Sequence, residues 1–138
     1  MKLNYKAIGI GGLVDLGGTT LFGTIAISLI AIIVNSPDTQ PYQLYDKVFN
    51  TTFFITLTIV IAAIFNFLGG YVAARIAQNA YVTYGALSSI PCIIVGIFTV
   101  INPLGSPTPE WLIYSGKIMA IFFGALGGYF CKRHITNH

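Results

Sequence analysis

Between Val48 and Pro109 the chain holds a single charged residue, Arg75, with long apolar stretches on either side of it. Residues 16–37 also contain no Asp, Glu, Lys or Arg. An apolar run of about 18 residues or more is long enough to cross the roughly 30 Å hydrocarbon layer as a helix. With 55% hydrophobic and only 8% charged residues in 138, little chain is left for a soluble domain. The composition therefore dictates an integral membrane protein, and the strand alternative fails on pattern. Transmembrane strands alternate apolar and polar over about 9–11 residues, whereas 25–34 and 55–64 do not sustain that alternation.

The expected fold is all-α: a four-helix transmembrane bundle of two helical hairpins forming one domain, with spans at about 7–34, 47–75, 80–101 and 110–132. Prolines and polar turn formers separate the first pair (35–41) and the last pair (102–109). A short turn near 76–79 joins the middle two. Lys2 and Lys6 precede the first span, Arg75 ends the second, and Lys132 with Arg133 ends the fourth. Asp38, Asp46 and Glu110 lie in the other two connections, which hold only Lys47 as a cation. Cytoplasmic loops carry the excess of Lys and Arg, so Arg75, Lys132 and Arg133 read as cytoplasmic anchors and both termini are expected inside. The expected address is the inner membrane of a bacterium. Tyr5, Tyr81 and Tyr84 would form an inner aromatic belt, opposite Trp111 and Tyr114. The first span starts like a signal peptide, but its apolar stretch runs far past a 7–15 residue signal core and ends in no cleavage site, so it reads as a retained helix.

Several functions are disfavoured. The net charge of +3 is spread over span ends rather than gathered on one basic face, so nucleic-acid binding is not expected. Cys92 and Cys131 fall at different depths, too far apart for a bridge, and with His134 and His138 they form no metal site. No cofactor is implied. There is no Gly-x-Ser-x-Gly or His-Glu-x-x-His, so the chain is not expected to be an enzyme. Asn50-Thr51-Thr52 fits a glycosylation acceptor but abuts the second span and is discounted.

Leu68-Gly-Gly-Tyr-Val-Ala-Ala-Arg75 and Leu126-Gly-Gly-Tyr-Phe-Cys-Lys-Arg133 share a tetrapeptide and an arginine at the same offset. Duplication and convergent helix-end chemistry both account for that echo. Small residues four apart let helices approach closely in lipid, so Gly69, Gly70, Gly124, Gly127 and Gly128 are packing candidates, within the chain or between subunits. Sitting inside apolar helices, they do not form a phosphate loop.

Asp15 is the one acidic residue at membrane depth, nine residues or about 13 Å beyond Lys6. Counting inward from the other cations puts Asn66, Ser88, Ser89 and Gly124 at a similar level. An intramembrane carboxyl suggests function by default. The polar layer could equally be glue, with Asp15 bonded to Asn66 and the serines, or Asp15 could tilt toward Arg75. Pro91 should kink the third helix and free the carbonyl of Leu87, with the two serines able to re-satisfy the backbone. Lys117 should lie in the outer part of the fourth span and snorkel outward, or pair with Asp46 or Glu110.

In size, span number and an acidic residue in the first span, the layout resembles small multidrug-resistance transporters, in which a carboxylate couples proton and drug. Those proteins use a glutamate where this chain has Asp15, and their charge bias is weaker. The recurring Leu-Gly-Gly-Tyr is also similar to small bacterial membrane proteins of no known activity. Two functions are therefore expected: helix–helix interaction, as a homo-oligomer or a subunit accessory to another membrane protein, or a small proton- or cation-coupled transporter centred on Asp15. The ion or small-molecule ligand is open.

Overall fold

The computed structural model describes residues 3–34, 52–101 and 110–137, and these are all-helical apart from short turns. In chain order the helices are α1 (Tyr5–Val34), α2 (Thr52–Ala77), α3 (Tyr81–Leu87), α4 (Ile90–Ile101) and α5 (Glu110–Thr136). Three stretches are long and apolar enough to cross a membrane: Tyr5–Ile33, Thr52–Ala77 and Tyr81–Phe98. They fit a small membrane protein. Their large side chains point outward: Leu13 is 71% exposed, Ile32 73% and Ile33 80%. A water-soluble chain would not leave so much contiguous apolar surface uncovered. The last helix is not among the three, since Lys117 and several glycines lower the hydropathy of its described part. The outer connections, the start of the second span at 47–51, and the side chains of Glu110 and Trp111 lie outside the described residues, as does the glycosylation acceptor.

The third span differs from the continuous, kinked helix expected over 80–101. It is broken at Ser88–Ser89 into α3 and α4. Ser89 N bonds back only three residues, to Ala86 O, at 3.2 Å. Pro91 then falls in the first turn of α4, where its missing N–H would be unpaired in any helix. The serines do stabilise the break, but not at Leu87: Ser88 Oγ donates to Gly85 O at 2.7 Å, and Ile93 N donates to Ser89 O at 3.0 Å. The turn between α2 and α3 uses two left-handed residues that are not glycine, Gln78 (φ 56°) and Ala80 (φ 42°).

α2 is the central helix. It packs most heavily against α1 and α5, and α3 packs against both α2 and α5. α4 packs only lightly, on α1 and α5. The tight end is the basic end. There Ala7, Ala77 and Tyr84 form one buried cluster, and Cys131 of α5 is fully buried. Tyr84 belongs to this packing rather than to an aromatic belt: it is fully buried, and its hydroxyl accepts from Asn4 N at 2.8 Å.

Glycines explain the tightness. A Cβ on Gly11 would stand 2.6 Å from Gly69 O, and one on Gly124 would stand 2.5 Å from Gly85 O. Gly70 faces the Gly124 backbone, Gly127 faces Phe67 O, and Gly128 faces Tyr81 O. Only a hydrogen side chain allows backbones so near, and that contact drives helix association in lipid. The two Leu-Gly-Gly-Tyr copies are not used alike, for Gly69 meets α1 whereas its counterpart Gly127 meets α2. Farther from that end α1 and α2 stay in contact through Ile30 and Phe54, while α2 and α5 part around Gly116, where a Cβ would meet nothing within 4 Å.

Candidate functional site

Antiparallel packing of α1 on α2 fixes the depth of the polar residues. Asp15 lies against Gly69, Gly18 against Phe65, and Ile30 against Phe54. On the other side of α1, Pro91 packs against Gly12, its Cγ 2.5 Å from where a Cβ would stand. Asp15, Asn66, Ser88 and Ser89 are all buried, and they fall within about a turn of one another in depth. They do not, however, bond to one another. Asp15 Oδ1 accepts from Thr19 Oγ1 at 3.5 Å, one turn along the same helix. Asn66 Nδ2 donates to Ala62 O at 2.7 Å. Ser89 Oγ donates to Ala120 O at 2.8 Å, tying the helix break to α5.

Two buried polar atoms are left without a partner in this arrangement, Asp15 Oδ2 and Asn66 Oδ1. They face different surroundings. Asp15 is fully buried where α1 meets α2 and the start of α4, beside the thiol of Cys92. Cys92 is a free cysteine whose place beside the carboxyl no spacing rule announced. Its position as third residue of α4 becomes meaningful only once the helix is known to restart at Ile90.

Asn66 instead shares a face of α2 with Gly70, four residues on, and that face meets α5. It lines a cavity of about 110 Å³ where the two helices part, together with Thr58, Ala62, Ala63, Gly116, Met119 and Phe123. The walls are almost wholly apolar, and the carboxamide is the strongest polar group among them. An unpaired amide in an apolar medium costs about 1–3 kcal/mol by protein measurements.

The remaining sequence candidates lie in the helix packing and at the helix ends. Gly69, Gly70, Gly124, Gly127 and Gly128 all meet helices of the same chain. Arg75, Lys132 and Arg133 are exposed at the tight end. Lys117 Nζ lies 5.2 Å from the centre of the Tyr114 ring, nearer the start of α5. That is the outward direction expected of a snorkelling lysine, with an aromatic face as its partner.

No protein-family model matches the chain, and neither a curated protein nor a solved structure matches it. The class it belongs to rests on its own physics: a small helical membrane protein.

Proposed function

We propose that the chain is a four-span protein of a bacterial inner membrane, with both termini cytoplasmic, that acts by helix–helix interaction inside the bilayer. It works as a homo-oligomer or as an accessory subunit of a larger membrane complex, without catalysis of its own. The observation that carries this reading is Asn66 Oδ1. It is a buried acceptor with no partner in its own chain, on a residue that borders an apolar cleft between α2 and α5. Hydrocarbon offers it no donor, whereas a neighbouring helix can. Native-gel or mass analysis of protein extracted gently from its own membrane tests the reading. Wild type should run as an assembly larger than one copy, and Asn66→Leu should shift it to the single chain. A wild type that is monomeric in that membrane overturns the proposal.

A second reading has its own observation. Asp15 is buried beside the Cys92 thiol at the start of a broken, lightly packed helix, and discontinuous helices in membranes commonly frame ion sites. On that reading Asp15 takes up and releases a proton or cation. Infrared difference spectra of lipid-embedded protein, with Asp15→Asn as control, decide it. A carboxyl band that follows bulk pH between about pH 5 and 8 supports transport, and a silent band removes it.

A further inference from the structure

The Asp15 carboxyl is sealed. It is fully buried, with Gly69 of α2 against one side and Cys92 of α4 beside it. A carboxyl that exchanges a proton or cation with water has to be uncovered at some moment, so one of these covers must move. α2 is too firmly held to be that cover. Gly11 and Gly69 bring the α1 and α2 backbones so near that a Cβ on either would stand 2.6 Å from the carbonyl oxygen of the other. The same two helices meet again at Ile30 and Phe54.

α4 is held differently. It meets α1 at its start, where Pro91 packs on Gly12 and Cys92 lies beside Asp15. Farther along, Ile94, Val95, Ile97 and Phe98 are exposed, and a Cβ on Gly96 would meet the flexible stem of Lys117 at 3.5 Å. An element with few buried apolar contacts opens at low free-energy cost. The root of α4 is built as a joint. The helix stops at Leu87 and restarts at Ile90, and Pro91 has no N–H with which to bond back across the break. Ser88 Oγ turns back into α3, donating to Gly85 O at 2.7 Å. Ser89 Oγ instead reaches α5, donating to Ala120 O at 2.8 Å, and so latches the joint to a neighbouring helix.

We infer that α4 is a gate, which pivots at Ser88–Ser89 and carries Pro91 and Cys92 off α1 to open Asp15 to water on the side away from the basic end. This inference rests on the second reading above, in which Asp15 takes up and releases a proton or cation, and it supplies the access which that reading requires. The direction follows from the joint. α3 stays packed on α2 and α5, so the part that swings lies beyond Ser89 and runs away from the basic end. The cluster of Ala7, Ala77 and Tyr84 keeps the basic side closed.

The native thiols make the test. Cys92 reports the opening, and Cys131, fully buried at the basic end, is the control. The full chain in sealed vesicles of one orientation is treated with a small, charged methanethiosulfonate on one face or the other, and the labelled peptides are quantified by mass. Cys92 should react slowly in the wild type, and only from the face away from the basic end. Ser89→Ala should speed that reaction about threefold to twentyfold, the range of one interhelical hydrogen bond in lipid, with Cys131 unchanged. Ser88→Ala breaks a bond within α3 and should leave the Cys92 rate within about twofold. Overturning results are a Cys92 that stays unreactive in Ser89→Ala, one labelled from the basic face, or an equal rise at Cys131 or in Ser88→Ala. The infrared titration of Asp15 judges the carboxyl reading separately. A silent carboxyl with a reactive Cys92 removes the ion and keeps the moving helix, whereas a titrating carboxyl with an unreactive Cys92 removes the gate alone.

Discussion

At the residue scale, the two unpartnered oxygens and the close-packed glycines carry opposite expectations. Gly124 touches the backbone of Gly85 and the Ser89 hydroxyl, so Gly124→Ala must push helices apart. It should cost about 1–3 kcal/mol, the usual range for overpacking. Gly116→Ala on the same helix meets open space and should change stability by less than about 0.5 kcal/mol. Reversible unfolding in mixed micelles measures both. Ser89→Ala removes the buried bond to Ala120 O and should cost about 0.6 kcal/mol, up to about 1.7. Asp15, Asn66 and the serine pair were legible in the sequence as a polar layer, because counting 1.5 Å per residue from each basic end gives depth. Their partners were not. Depth says nothing about rotation, and rotation sends Asn66 toward α5 while Asp15 faces α2 and α4.

At the scale of elements, hydropathy located the three helical stretches long and apolar enough to cross a membrane, and Pro91 marked trouble in the third. What proline spacing could not give was the kind of trouble. Ser88, which bonds back to Gly85 O, and Ser89, which bonds across to Ala120 O, sit where the helix stops at Leu87 and restarts at Ile90, so Pro91 falls where a proline costs little. The α2–α3 turn was also hidden, because Gln78 and Ala80 are not residues that favour left-handed backbone. L-residues pay about 1–2 kcal/mol there. Ala80→Gly should therefore raise stability by about 1 kcal/mol in the same unfolding assay. A loss would mean that the Ala80 methyl group contributes packing that outweighs the backbone relief.

At the scale of the whole molecule, the described helices pack closely at the basic end, and farther along α2 and α5 part while α1 stays on α2. The closed end holds Lys6, Arg75, Lys132 and Arg133, the charge asymmetry from which orientation was read. Reporter fusions at Gln78 and at the C-terminus should both report the cytoplasm; both outside would reverse the assigned topology, and a split result would break the four-span count. The parting of α2 from α5 was not legible. It follows from where small residues meet across helices, a pairwise property that one sequence does not display. Yet that parting makes Asn66 the floor of a cleft rather than one more buried amide.

The claim that this cleft receives a helix is tested most directly by a photo-reactive amino acid placed at position Gly116, inside the cleft, and separately at Ile118, which is 72% exposed on the outer face of the same helix. Illumination of intact membranes should join the Gly116 probe to a helix of another polypeptide chain, identified by peptide mass, and the Ile118 probe to lipid. The Gly116 adduct should fall sharply in Asn66→Leu. Lipid adducts alone at both positions would contradict the account and leave the cleft as part of the lipid-facing surface.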